Sequence, residues 1–125
     1  TSELGKVTKS TPMGSLDHPF NPPLLALGSG GTYIARTIDR EIKHMSQIFR
    51  NANSHKGTSF VEIYQNCNIY NDGAFFDLTE KETKAETQLQ LNHNEPMLFG
   101  IDNSKGIVLK GSHFINVALH SLGSP

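Results

Sequence analysis

The chain has 125 residues, 36 % of them hydrophobic, and a mean hydropathy of -0.37, so its length fits one modest domain. Eleven Lys and Arg residues are balanced by twelve Asp and Glu residues. This balance gives no electrostatic reason to expect a nucleic-acid or membrane partner, and no apolar stretch is long enough to cross a bilayer. Cys67 is the only cysteine, which rules out an internal disulfide, and we expect a reducing, cytoplasmic setting.

A short helix is predicted just before a glycine-rich stretch. Asn21 followed by Pro22 is a helix-start signal, because the Asn side chain can cap the first turn and proline fits its first position. Residues 28–31, Gly-Ser-Gly-Gly, have the composition of a phosphate-binding loop. Such loops follow a strand and open a helix, whereas these glycines close a helix and lead into a strand. We therefore favour a helix stop with close packing over a phosphate site.

A strand–helix–strand unit is predicted next. Residues 32–36 have the pattern of a strand, and apolar residues then recur at helical spacing from residue 38 to residue 52, with Asp39 as the N-cap. Residues 59–64 form a second strand of β-branched and aromatic type. Because such crossover units join parallel strands, we predict a parallel sheet. A parallel sheet needs cover on both faces and more than two strands, so we expect it to continue in sequence outside this chain.

The later part of the chain predicts antiparallel structure. Residues 79–86 are rich in charge and are expected to be exposed. Four apolar clusters then predict short antiparallel strands, with a hairpin-like turn at residues 102–106. The clusters are Leu89 with Leu91, residues 97–99, residues 107–109 and residues 114–119.

The reactive side chains offer one candidate site, at Cys67. The histidines lack the spacing that brings two imidazoles onto one metal, and we predict that His44 and His55 lie on the surface of the long helix. Cys67 falls just past the second predicted strand, among Asn and Asp residues. Ligands bind at the carboxyl ends of the strands in open α/β sheets. A lone cysteine is more often a small buried hydrophobe, and that interpretation stays open here.

Several separated blocks of the sequence resemble the β subunits of 2-oxoacid:ferredoxin oxidoreductases, in particular the bacterial 2-oxoglutarate type. These blocks are residues 17–22, the glycine-containing stretch up to residues 32–36, and residues 56–67. Residues 1–12 also resemble the loop that follows the thiamine-binding region of that family. The likeness is good over residues 1–77 and looser from there to Pro125.

The resemblance implies an α/β fold built in two parts. Residues 1–77 would be the C-terminal part of a thiamine-diphosphate-binding domain and would contribute the strand–helix–strand unit to its parallel sheet. Residues 78–125 would form a short antiparallel β extension. We therefore expect this chain to be a C-terminal fragment of a longer subunit.

The resemblance also implies a role for Cys67 as one of four ligands of a [4Fe–4S] cluster. Four thiolates are needed because each iron normally takes its own cysteine. In the family the other three lie upstream, two of them in a Cys-x-x-Cys pair, as do the Gly-Asp-Gly and Asn that bind magnesium and thiamine diphosphate. This chain contains none of these motifs, so it has no catalytic residue to name and should be inactive by itself. Lys9, Ser10 and Thr11 would lie near thiamine diphosphate.

For the intact enzyme, the resemblance implies oxidative decarboxylation of a 2-oxoacid, in particular 2-oxoglutarate, to an acyl-coenzyme A. Thiamine diphosphate with Mg²⁺ and the [4Fe–4S] cluster are the implied cofactors, and the protein would position them and exclude water. The implied partners are the α subunit, ferredoxin, coenzyme A and the 2-oxoacid, with no nucleic acid and no membrane.

Two other classes of function remain open from the residues alone. The first is a non-catalytic α/β interaction or binding module, which the lack of a full catalytic constellation favours. The second is a thiol-dependent enzyme with Cys67 as its nucleophile, although the sequence indicates no partner that would activate the thiol.

Overall fold

The computed structural model of the chain describes residues 3–119. The chain divides between Phe75 and Phe76 into two compact units. The first unit contains a two-stranded parallel sheet with helices, and the second contains a three-stranded antiparallel sheet. The mixed α/β class predicted from the sequence is therefore confirmed. None of the helices within residues 3–119 is long and apolar enough to span a membrane.

The first unit contains the predicted strand–helix–strand arrangement. Its elements are helix α1 (Pro22–Gly28), strand β1 (Tyr33–Ile38), helix α2 (Ile42–Ser54) and strand β2 (Ser59–Tyr64). Strands β1 and β2 pair in parallel, with Tyr33 opposite Ser59 and Ile38 opposite Tyr64. The predicted parallel pairing is confirmed.

Helix α1 begins and ends as its sequence predicts. The side-chain oxygen of Asn21 accepts a hydrogen bond from the Leu24 N–H at 3.2 Å, which satisfies one of the free donors of the first turn. Beyond the helix, Gly30 has a φ of +87°, a conformation that favours glycine. A Cβ atom at Gly31 would lie 2.8 Å from the Ala26 carbonyl oxygen. The glycine stretch is thus a helix stop with close packing, as predicted.

Helices α1 and α2 cover opposite faces of the parallel pair. On one face, Thr37 of β1 hydrogen bonds to His44 of α2. Side chains alternate between the two faces of a strand, so Ile34, an odd number of residues before Thr37, lies on the other face. There its Cδ1 would be 2.9 Å from a Cβ at Gly31, just after α1. Thr37 and Ile38 are the most buried side chains given for residues 3–119, at 2 % and 9 % exposure, so the packed centre of this unit lies along β1.

The predicted start of α2 was wrong, because the N-cap lies two residues later than predicted. Ile38 fits the helical spacing, but it is the last residue of β1, where it pairs with Tyr64. The predicted cap is wrong as well: Glu41 is the N-cap residue, and the Asp39 carboxylate accepts a hydrogen bond from the backbone N–H of Asn66. Pairing with a distant strand overrides the local periodicity here.

The histidines of α2 are less exposed than predicted. His44 and His55 are both half-buried rather than fully on the surface. His44 Nδ1 lies 2.9 Å from the Thr37 hydroxyl, and His55 Nε2 lies 2.7 Å from the Thr32 hydroxyl. Each imidazole therefore joins α2 to the region of β1, because a half-buried ring nitrogen needs a hydrogen-bond partner.

The second unit is an antiparallel sheet preceded by two short helices. Its elements are α3 (Phe76–Thr79), α4 (Lys81–Thr87), β3 (Leu98–Phe99), a 3-10 turn (Ile101–Asn103), β4 (Lys105–Lys110) and β5 (His113–Ala118). The strand order is β3-β4-β5, with antiparallel pairing throughout. Residues 120–125 of the predicted β extension lie outside the described residues.

One predicted element is absent from the described part of the second unit, and one observed element was not predicted. The strand expected at Leu89 and Leu91 is absent from the described residues, since that segment has no regular structure. The charged stretch at residues 79–86 includes helix α4, which the sequence reading missed. Gln88, the C-cap of α4, has an extended backbone, and its side-chain amide donates to the Leu78 carbonyl of α3 at 2.5 Å.

Candidate functional site

The candidate site is the loop that follows β2. This Cys67 loop comprises residues 66–73, two residues beyond the carboxyl end of the strand. Its centre is a narrow turn in which the Asn71 N–H donates to the Cys67 carbonyl at 2.9 Å. Cys67 and Asn71 also form an isolated antiparallel bridge. The turn presents Cys67 at the sheet edge where parallel α/β folds bind ligands.

The Cys67 loop is tied to the neighbouring strand by Asp39. This residue follows β1 directly, and its Oδ2 accepts a hydrogen bond from the backbone N–H of Asn66 at 3.0 Å, in a half-buried position. The carboxyl ends of β1 and β2 are thereby joined through one side chain. No local pattern indicates this bond, because every residue except proline at position 66 has the same N–H to donate.

Asn66 also holds the two ends of the Cys67 loop together. Its Nδ2 donates to Asp72 Oδ1 at 2.8 Å, and its Oδ1 accepts from the Gly73 N–H at 2.9 Å. Gly73 has a φ of +77°, a conformation that suits glycine and turns the chain back toward Asn66. One amide side chain therefore closes an eight-residue loop around Cys67.

The environment of Cys67 favours the thiolate. The side chain is exposed, and hydrogen bonds from the backbone N–H groups of Tyr70 and Ile69 lower the pKa of its thiol below the ordinary value of 9.0. The Asn71 N–H acts in the same direction, whereas desolvation and the Asp72 carboxylate oppose it. The thiolate is the form of cysteine that binds metals and acts as a nucleophile. Because the Cys67 side chain is exposed in this structure, it is not the small buried hydrophobe that a lone cysteine more often is.

A cluster of charged and aromatic side chains lies on the adjacent strands. Arg36 and Glu62 are cross-strand partners, and their side chains form an ion pair at 2.6 Å. The Arg36 guanidinium lies 4.8 Å from the ring centre of Tyr64, which stacks on Phe75 at 4.7 Å. Sequence reasoning missed this cluster, although charged residues inside two predicted strands are unusual enough to indicate it.

Cys67 offers one thiolate, which does not make a complete metal centre. Residues 3–119 contain no group of three or more His, Cys, Asp or Glu side chains placed to hold a metal ion. An exposed thiol with N–H groups directed at its sulfur does fit one corner of an iron–sulfur cluster, because the cluster takes thiolate ligands and is stabilised by hydrogen bonds to sulfur. The chemistry of the residues present therefore fits one ligand of such a cluster.

The residues predicted to lie near thiamine diphosphate form an exposed turn. The Thr8 and Thr11 backbones bond to each other at 3.1 and 3.3 Å around Lys9 and Ser10. The Thr8 hydroxyl lies 2.7 Å from that of Thr11 and 3.1 Å from that of Ser10. Within the described part of the chain, no hydrogen bond joins this turn to the Cys67 loop.

Several known proteins have sequences similar to this chain. The 2-oxoglutarate oxidoreductase subunit KorB of Mycobacterium tuberculosis is 48 % identical over 111 residues, which is 89 % of this chain and 30 % of that protein. The 2-oxoacid:ferredoxin oxidoreductase subunit beta of Saccharolobus solfataricus is 39 % identical over 72 residues, or 58 % of this chain and 24 % of that protein. The chain is homologous to 2-oxoacid:ferredoxin oxidoreductase β subunits.

This β-subunit homologue spans a limited share of its relatives. The 2-oxoglutarate synthase subunit KorB of Archaeoglobus fulgidus is 31 % identical over 67 residues, which is 54 % of the chain and 25 % of that protein. The chain thus spans a quarter to about a third of the length of these proteins. The 111-residue match is longer than the first unit, so the homology to the mycobacterial protein extends into the second unit. No family model matches the sequence, and no solved structure matches it either.

Proposed function

We propose that this chain forms part of the β subunit of a 2-oxoacid:ferredoxin oxidoreductase and that Cys67 is one of four ligands of its [4Fe–4S] cluster. The observation that carries the proposal is the exposed Cys67 thiol, whose pKa is lowered by the N–H groups of Tyr70 and Ile69. Its position after a parallel strand adds support. The names of the relatives point to 2-oxoglutarate as the substrate.

In this proposal the chain's own residues hold and orient one corner of the cluster. The Cys67 sulfur binds one iron, and the N–H groups of the turn stabilise its negative charge. The bond from Asn66 to Asp39 fixes the start of the loop to the sheet edge. When bound, the cluster would supply one-electron transfer from the 2-oxoacid reaction to ferredoxin.

The wider assembly is also part of the proposal. Thiamine diphosphate with Mg²⁺ would supply the decarboxylation chemistry, with Lys9, Ser10 and Thr11 as its neighbours in this chain. The exposed turn offers an ammonium and hydroxyl groups, which suit a charged cofactor. The α subunit, ferredoxin, coenzyme A and the 2-oxoacid are the proposed partners, in the cytoplasm, and this chain alone is expected to be inactive.

The two-strand sheet supports the proposal that residues 1–77 belong to a larger thiamine-diphosphate-binding domain. A two-stranded sheet is marginal by itself. The leucines of α1 are also largely exposed, at 64 %, 57 % and 60 % for Leu24, Leu25 and Leu27. Further strands and helices would cover such an apolar surface, which costs free energy while it faces water. Residues 78–125 would then be the β extension of that domain.

The test compares the wild-type subunit with Cys67→Ser. Both are purified without oxygen from the native host, together with their partner subunits, and assayed for iron, acid-labile sulfide and the EPR signal after reduction. We expect about four iron atoms per wild-type subunit and loss of the cluster in Cys67→Ser, because serine is a poor replacement for the thiolate. Asn68→Ala, in the same loop, is the control and should keep its iron.

The opposite results would overturn the proposal. Iron-free wild-type protein, or iron unchanged in Cys67→Ser, would remove Cys67 from the cluster. A non-catalytic binding module would then be the better description of the chain. Reduction of ferredoxin that depends on 2-oxoglutarate and coenzyme A would test the substrate separately.

A further inference from the structure

We propose that Asn66 is a positioning residue that shapes the Cys67 loop and thereby helps to set the reduction potential of the cluster bound at Cys67. The presence of a cluster rests on the proposed function, whereas the choice of Asn66 rests on the geometry of the loop. Neither the local sequence pattern nor the position next to a cysteine would assign this role to Asn66.

The geometry singles out Asn66 among the polar residues of the loop. Its Nδ2 donates to Asp72 Oδ1 at 2.8 Å, and its Oδ1 accepts from the Gly73 N–H at 2.9 Å. Its backbone N–H, which every residue except proline would supply, donates to Asp39 at 3.0 Å. These bonds reach the sheet edge and the far end of the loop. The neighbouring Asn68 is exposed, and its side chain makes no hydrogen bond with any residue from 3 to 119.

The position requires an amide rather than a carboxylate or an apolar group. An amide offers both an acceptor for the Gly73 N–H and a donor for the Asp72 carboxylate. An aspartate at position 66 would place a second carboxylate against Asp72, and an alanine would leave both partners to water. Asn66 is therefore the side chain that closes the loop at both points simultaneously.

The shape of the Cys67 loop matters for the reduction potential because it sets the direction of backbone N–H groups relative to the Cys67 sulfur. The bond from the Asn71 N–H to the Cys67 carbonyl, at 2.9 Å, folds residues 67–71 into a turn and brings the backbone of residues 69–71 back beside the Cys67 side chain. The lowered pKa of the Cys67 thiol, caused first by the backbone N–H groups of Tyr70 and Ile69, agrees with that turn. Hydrogen bonds to a ligand sulfur stabilise the more negative, reduced cluster and so raise its reduction potential. If Asn66 no longer closes the loop, these N–H groups lose their fixed direction, and the potential should become more negative.

The experiment uses the complete subunit with its partners, as wild type, Asn66→Ala and Asn68→Ala. Amide hydrogen exchange reports on the loop with or without a cluster, and an EPR-monitored redox titration reports on the potential. In Asn66→Ala we expect the amides of Asn71 and Gly73 to exchange about tenfold faster, because the Gly73 N–H loses its acceptor and the loop loses the side chain that closes it. The midpoint potential should become more negative, while Asn68→Ala stays at the wild-type values.

The outcomes separate this inference from the proposed function. Unchanged exchange and potential in Asn66→Ala, or equal shifts in Asn68→Ala, would overturn the role of Asn66 while leaving Cys67 on the cluster. Iron-free wild-type protein would overturn the cluster and the effect on its potential together. If Asn66→Ala loses its iron, the midpoint potential is measured in Asn66→Ser instead. Faster amide exchange without a shift of the midpoint potential in Asn66→Ser would also overturn the inference.

Discussion

Side-chain hydrogen bonds to backbone N–H groups and to charged side chains have different roles in the two units. In the first unit, Asn66 closes a loop around an exposed thiol through Asp72 and Gly73. In the second, Glu86 of α4 accepts from the Ile101 N–H at 2.9 Å with one oxygen and from the Lys105 ammonium with the other. The first arrangement leaves a reactive group open to a ligand, whereas the second joins a helix to the base of a hairpin. Similar bonds therefore serve a site in one unit and the architecture in the other.

The packing of the two units differs as well. The buried Thr37 and Ile38 side chains both belong to the first unit. In the second unit the cross-strand partners Leu109 and Phe114 are 62 % and 69 % exposed. Since burial of apolar surface supplies most of the stabilising free energy, we expect substitutions along β1 to cost far more than substitutions in the β4–β5 hairpin.

The largest effect is expected for Ile38→Ala. Removing a nearly buried isoleucine side chain should lower the free energy of unfolding of the first unit by roughly 2–4 kcal/mol, through lost burial and the cavity left behind. Leu109→Ala is the matched control in the second unit, and should change stability by no more than about 0.5 kcal/mol, as for most surface positions. Urea unfolding followed by the amide signals of each unit checks both variants. Equal effects would contradict a core concentrated along β1.

A smaller effect is expected for Thr37→Val. The substitution keeps the shape of the side chain but removes the hydroxyl that bonds to His44 at 2.9 Å, so one half-buried partner is left unsatisfied. We expect a loss of about 1 kcal/mol in the stability of the first unit. Thr32→Val removes a similar bond, to His55, at an exposed position and should cost less. A larger loss of stability in Thr32→Val than in Thr37→Val would show that burial does not determine how much these hydrogen bonds stabilise the unit.

Local signals explain which elements the sequence predicts. Helix α1 follows from Asn21, Pro22 and the glycines, and β2 follows from a β-branched and aromatic run, because each pattern lies within the element itself. The end of β1 at Ile38 depends on pairing with Tyr64 across the sheet, which no local pattern contains. Helix α4 has few apolar residues, so it carries no periodicity to detect.

The candidate site divides in the same way. The position of Cys67 after a strand could be predicted from the sequence, and its proposed role as a cluster ligand comes from the resemblance to a family. The closure of the loop by Asn66 could not be predicted, because no local pattern indicates that its side chain bonds to both Asp72 and Gly73. The bond that anchors the loop to the end of β1 could not be predicted either, because Asp39 is 27 residues away in the chain. The way the loop is held therefore depends on tertiary contacts that the local sequence does not contain.

The smallest effect is expected for Glu86→Gln, which tests the second unit. Hydrogen bonds from Lys105 and then from the Ile101 N–H lower the pKa of Glu86 below its ordinary value of 4.5. A lowered pKa means that the ionised side chain stabilises the folded unit above pH 4.5, and that this contribution is lost as the pH falls through the lower, folded value. The effect is small because both side chains are exposed enough for solvent to screen the pair.

Wild type and Glu86→Gln should therefore differ in the urea midpoint of the second unit at about pH 7 and converge at about pH 3. The difference should also shrink in high salt, which screens exposed charges. Glu82→Gln removes the same charge from the same helix, but Glu82 forms no ion pair with any residue from 3 to 119, so it serves as the control. If Glu82→Gln lowered the midpoint as much as Glu86→Gln, the cause would be the charge of the helix. The bonds from Glu86 to Lys105 and Ile101 would then have no special part in joining α4 to the sheet.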